Sequence, residues 1–256
     1  MFGYAIPPNF MTLTARLHLP VWGLALILLA VGLYLSFTAP QDYQQGETVR
    51  IMFLHVPAAW MALFGYSFVT FASIAGLVWR HPVGHFAAKA AAPIGAAFTL
   101  ICLLTGSLWG KPMWGTWWVW DARLTSVLVL FFIYLGYMAV WQAIEEPLQA
   151  AKSAAVLAIV GFVNVPIVKF SVDWWNTLHQ PASVSRLAAP AIHESLLTPL
   201  LVMSAAFMAL FFALWLTRVQ TEIWRQRNRA RRMGLDDAPI SQTNQPNIQG
   251  VDAREL

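Results

Sequence analysis

Charge is scarce in this chain. Asp, Glu, Lys and Arg together make up 11% of its 256 residues, against roughly 25% in soluble domains. With 58% of residues apolar and a mean hydropathy of +0.57, that scarcity excludes a soluble globular domain and points to a polytopic membrane protein. Cysteine occurs once, as Cys102 inside an apolar run, so neither a disulfide framework nor a CxxC redox pair is available. There is no P-loop, no nucleophile elbow, no HExxH and no pair of facing histidines buried mid-helix, which removes the common catalytic classes. Without a P-loop, any ATP-driven step belongs to another subunit. A nucleic-acid partner is not indicated either. Much of the net charge of +4 sits in "RQRNRARR", residues 225–232, and a basic run beside an apolar segment sets membrane orientation.

Long apolar runs are what the chain does have. A helix needs about 20 apolar residues to cross a bilayer core, and six stretches qualify: 20–38, 57–78, 87–108, 124–143, 154–172 and 196–217. The first exceeds the roughly 7–15 residues of a signal-peptide core and lacks a clear A-x-A site, so an uncleaved span is expected. "HVP" ahead of the second, with Pro57 suited to a first helical turn, predicts that residues 51–55 lie along the interface and that the helix begins after them. The expected fold class is therefore all-α, with six transmembrane helices. Residues 1–218 form the membrane domain, and 219–256 a tail that is basic, then polar and disordered at its end.

Lys and Arg in the loops set the orientation. Arg16, Arg80, Lys89, Lys152, Arg218 and the 225–232 run fall on one side; Arg50, Lys111, Arg123, Lys169 and Arg186, offset by Asp42, Glu47, Asp121, Asp173 and Glu194, fall on the other. Both termini are thus predicted to be cytoplasmic. Three loops, about 39–56, 109–123 and 173–195, face outward, into the periplasm of a Gram-negative cell.

Those outer loops carry the unusual chemistry. "WGTWWVWD", residues 114–121, follows Trp109, giving five tryptophans between 109 and 120, where a membrane interface ordinarily takes one or two as anchors. If the segment is helical, Trp114, Trp117, Trp118 and Asp121 fall at i, i+3, i+4 and i+7 on one stripe, with Trp120 at its edge. Such a shelf suits a flat, apolar ligand, because each indole offers wide apolar area and offset stacking. The first outer loop adds His55 in "MFLHVPAAW", and the third adds Trp174, Trp175 and His179 in "DWWNTLHQP". Singly, each histidine reads as a capping or interfacial residue. Beside the tryptophans, the pair reads as two imidazole ligands holding a haem iron from both faces. Haem also brings two propionates, for which Arg50, Lys111, Arg123 and Arg186 are candidates, arginine binding carboxylates bidentately. Asp121 is expected to cap the following helix or orient a Trp or Arg. His193 is a reserve ligand, whereas His81 and His85 lack a third partner for a metal.

At "WGTWWVWD" the sequence resembles the haem-handling WWD family of cytochrome c biogenesis. With "RIMFLHVPAAW" before the second span and "WWNTLHQ" before the sixth, it is similar to that family's CcmC branch, the C subunits of the bacterial cytochrome c maturation system (System I), as far as about Arg218. The resemblance implies haem b bound non-covalently as cargo at the outer face of the inner membrane. It implies His55 and His179 as axial ligands, and Trp114, Gly115, Trp117, Trp118, Trp120 and Asp121 as the WWD motif. It implies a carrier and assembly factor, not an enzyme, that presents haem to a membrane-anchored periplasmic haem chaperone beside an ABC-type ATPase, its permease and a small single-span subunit. The absence of CxxCH fits cargo that must leave again. A membrane redox protein would want a second redox centre or quinone site. A solute permease would want polar or broken helices at the bilayer midplane, which Pro93, Gly95, Gly161 and Pro166 supply only as kinks.

Overall fold

A computed structural model of the chain describes residues 7–181, 183–184, 186 and 188–232. Its helices are α1 (Pro7–Thr38), α2 (Met52–Val78), α3 (Pro82–Trp114), α4 (Ala122–Ala143), α5 (Pro147–Gly161), α6 (Asn164–Trp174) and α7 (Glu194–Arg232), and a 3-10 turn, Glu47–Ile51, leads into α2. Six helical segments are long and apolar enough to cross a membrane, α5 and α6 together making the fifth. The polar tail expected beyond residue 232 lies outside the described residues.

Several helices run further than hydropathy indicates. α1 starts at Pro7 and passes through Pro20, because a proline pair fits the first helical positions, where N–H groups are unpaired in any case. Its early turns dock on α7: Phe10 meets Trp215 edge-on at 6.3 Å, and Thr217 Oγ1 lies 3.0 Å from His18 Nε2 and accepts from Trp22 Nε1 at 3.2 Å. α2 begins at Met52, not after His55, and Pro57 lies within it; the 3-10 turn feeds straight into the helix. The basic 225–232 run, placed in the tail by its composition, continues α7 as helix to Arg232.

α2 and α3 form the centre. Their glycines allow the backbones to approach: a Cβ on Gly84 would lie 2.7 Å from Gly76 N, and one on Gly65 would lie 3.1 Å from the Gly95 Cα. Small residues serve helix contact in membranes in this way, since lipid offers no hydrophobic incentive to pair. Tyr66, Leu130, Tyr134, Met203 and Phe211 fill the space around this pair.

The fifth span is broken. Pro166 has no N–H for the Phe162 carbonyl, which takes the Val165 N–H at 3.0 Å instead. Thr70 Oγ1 donates to Ala158 O at 3.2 Å, and Asn164 Nδ2 to Ser126 O at 2.9 Å. Side chains thus satisfy backbone groups that water cannot reach. The break delivers α6 beside the start of α4, at the end of the bundle where the aromatic loops gather.

Candidate functional site

A mostly apolar cavity of about 330 Å³ opens at that end, walled by α2, α3, α4, α6 and the loop after α6. That volume falls at the small end of the range typical of ligand pockets. His55 reaches it from the first turn of α2. Its Nδ1 lies 3.1 Å from the Cys102 carbonyl and 3.1 Å from Thr105 Oγ1, both on α3. Gly106 makes room for the ring, since a Cβ there would sit 2.9 Å from His55 Cε1.

His179 arrives from the opposite wall on the loop 175–193, where Thr177 Oγ1 accepts its backbone N–H at 3.2 Å. The two imidazole centres are 6.1 Å apart with planes at 24°. A metal ion about 2 Å from one nitrogen of each ring would separate the ring centres by about 6 Å. His179 Nδ1 is buried without a hydrogen-bond partner among the described residues. Burial, and secondly the nearby Arg123, push its pKa down to about 4 against an opposing backbone contact from Gln180, which keeps the ring neutral, as a metal ligand must be.

Indoles frame the pair. Trp109 meets His55 edge-on at 5.7 Å and donates to Gln45 Oε1 at 3.0 Å. Trp114 meets His179 edge-on at 5.7 Å. Trp118 lines the same wall with its Nε1 buried and unpartnered among the described residues.

The single helical stripe of tryptophans does not form. α3 stops at Trp114 because Gly115 turns left-handed at φ 76°, its N–H bonding Lys111 O, a helix ending that suits glycine. Residues 115–121 are then non-helical, so Trp114 and Trp118 face the cavity while Trp117 and Trp120 are 54% and 75% exposed. Asp121 caps α4, accepting the Leu124 N–H at 2.8 Å, as one of its two expected roles required.

The candidate cations divide. Arg123 and Lys169 line the cavity; Arg123 Nε donates to Ser171 Oγ at 3.0 Å and its Nη2 to Lys169 O at 3.3 Å. Arg50 is held by Glu47 at 2.8 Å off the wall. Arg186 is exposed outside the wall, and Lys111 bonds Gly115 O while lying 5.9 Å from the centre of the Trp117 ring. His193 faces Ser195 at 2.8 Å, at the start of α7 and away from the cavity. Among the described residues no cluster of three or more His, Cys, Asp or Glu could hold a free metal ion.

Sequence reasoning passed over the α3 face itself. Cys102, Thr105, Gly106, Trp109 and Met113 recur at i, i+3, i+4, i+7 and i+11 and turn together towards His55 or the cavity. That period is visible in the sequence, but an apolar span is apolar all round, which hides it.

Apolar walls, indole edges, an imidazole pair at one-metal spacing, an orphaned buried ring nitrogen and two flanking cations fit a flat metallated macrocycle bearing carboxylates. The molecule is a six-span membrane protein with a mostly apolar cavity at one end of its bundle. The chain belongs to the CcmC family, described as Heme exporter protein C, whose family model matches residues 1–234. Among its relatives, the Heme exporter protein C of Bradyrhizobium diazoefficiens is 58% identical over 229 residues, covering 90% of this chain and 87% of that protein. Those of Paracoccus denitrificans and Escherichia coli K12 are 47% identical over 225 residues and 44% identical over 221, covering 88% and 86% of this chain and 93% and 89% of their own lengths.

Proposed function

We propose that this chain holds haem b between His55 and His179 at the periplasmic face of the bacterial inner membrane and presents it to a membrane-anchored haem chaperone for cytochrome c maturation. The observation that carries the reading is the imidazole pair, 6.1 Å between centres, inside a cavity framed by indoles. Family membership supports it, as do relatives named for haem export. The distribution of Lys and Arg supports the orientation, with both termini in the cytoplasm.

The role is that of a carrier and assembly factor. The two ligands differ in a way that suits a carrier. His55 sits on a helix and is braced by α3, so it stays put. His179 sits on a long irregular loop, so it is the ligand that lets go when haem leaves. Trp114 and Trp118 cover the ring, Arg123 and Lys169 face the propionates, and exposed Trp117 and Trp120 form the rim that an incoming chaperone meets. The absence of CxxCH keeps the hold non-covalent and reversible. With no P-loop in the chain, ATP-driven work falls to an ABC-type ATPase, its permease and a small single-span subunit.

The test is spectroscopic. The purified protein should carry haem with a low-spin, two-imidazole absorption spectrum, and the His55→Ala/His179→Ala double variant should lose both spectrum and haem. A double variant with wild-type haem content refutes the assignment.

A further inference from the structure

Two contacts meet at His55 Nδ1. The nitrogen is 3.1 Å from the Cys102 carbonyl and 3.1 Å from Thr105 Oγ1. Thr105 Oγ1 in turn lies 2.6 Å from the Ile101 carbonyl and 3.3 Å from Cys102 O. A hydroxyl has one hydrogen and two lone pairs. The short contact to Ile101 O takes the hydrogen, so Thr105 turns a lone pair towards the imidazole. The Cys102 carbonyl offers only lone pairs. Nδ1 therefore faces two acceptors and must itself carry the hydrogen, which leaves the lone pair on Nε2 of a ring that lines the cavity.

Threonine bonding back to the carbonyl four residues earlier is ordinary in membrane helices. The lone pair it aims at a buried histidine is a separate matter. We infer that Thr105 is a positioning residue which, with the Cys102 carbonyl, fixes His55 as the Nδ1–H tautomer and strengthens it as an iron ligand. The inference rests on the haem reading above. Its physical basis is that an acceptor on the distal N–H sets tautomer and ring orientation and makes the ligand more basic, and that losing such a partner lowers metal affinity about 10–100-fold.

The experiment uses the full chain in detergent, titrated with haem, with affinity read from absorbance and the midpoint potential from a redox titration. Thr105→Val, close in shape but without the hydroxyl, should bind haem about tenfold more weakly. Its potential should shift positive, because a less basic imidazole stabilises ferric iron less. Thr105→Ala should do the same, and Thr105→Ser, which restores the hydroxyl, should match the wild type. In a His55→Ala background, Thr105→Val should change nothing further, the signature of action through His55. Wild-type affinity and potential in Thr105→Val and Thr105→Ala, or an equal loss in the His55→Ala background, overturns the inference while a His55-dependent spectrum leaves the haem reading intact. A spectrum indifferent to His55 overturns both.

Discussion

Gly106 packs so closely under His55 that a single added methyl displaces the ring. Replacing it by alanine puts a methyl 2.9 Å from His55 Cε1 and 3.4 Å from Nδ1. Carbon atoms prefer about 3.5–4.0 Å, so the imidazole must retreat by about 0.6–1 Å. The direction open to it is the cavity, away from α3. Its two 3.1 Å hydrogen bonds to Cys102 and Thr105 then stretch past about 3.2 Å, the ordinary upper limit. The ligand nitrogen shifts by several times the roughly 0.2 Å that metal–ligand distances tolerate. Haem affinity should fall at least about tenfold, the loss expected when a ligand's supporting contacts go. The fold itself should not suffer, because alanine is favoured over glycine in a helix by about 1 kcal/mol and the strain is relieved into open space. Haem titration followed by absorbance, alongside a thermal melt of the same preparation, separates the two effects. Wild-type haem affinity in Gly106→Ala, or haem loss only together with a collapse in thermal midpoint, would refute the reasoning.

Three further outcomes follow. The folded protein holds His179 near 4 where a free histidine titrates near 6.5, so the unfolded chain takes the proton first. Stability from this group is intact above about pH 6.5 and declines towards pH 4, while the ring stays a neutral ligand between about pH 7 and 5; a haem spectrum lost with a midpoint near 6.5 through His179 contradicts its burial. Trp118→Ala strips an indole from the cavity wall and should weaken haem binding about tenfold, whereas Trp120→Ala, at a residue 75% exposed, should weaken it far less; the reverse order in a haem titration would contradict the orientation of the 115–121 segment. At the other end of the bundle, buried Glu222 bridges Lys89 on α3 and Arg225 at 2.9 Å each, and Glu222→Ala should lower stability by about 2 kcal/mol, less than for a fully buried pair because both cations keep solvent contact. An unchanged thermal midpoint would deny this contact any part in fastening the α7 extension.

Six spans, the histidine pair and the tryptophans were legible in the sequence because each leaves a local mark: length of apolar run, or residue types rare at that density. What was illegible has a common cause. Hydropathy reports how much a segment favours lipid and says nothing about which face meets a cavity, so the α3 face bearing Thr105 and Gly106 was invisible inside a uniformly apolar helix. Gly115 was read within a motif, while its left-handed turn, which ends α3 and sends Trp117 and Trp120 outward, was not. Pro20 and Pro57 were taken as boundaries, yet both lie inside helices, because neighbouring elements hold the chain on either side of the missing hydrogen bond. Arg50 and Arg123 look alike as isolated cations in the sequence; only the fold pairs one with Glu47 and turns the other into the cavity.

The central claim is that two imidazoles, one from α2 and one from the loop after α6, take a single iron between them. Electron paramagnetic resonance of the purified ferric protein tests it most directly. Imidazole planes 24° apart predict a rhombic low-spin signal that disappears in His55→Ala and in His179→Ala alike. A high-spin signal in the wild type, or a low-spin signal that survives either substitution unchanged, contradicts it.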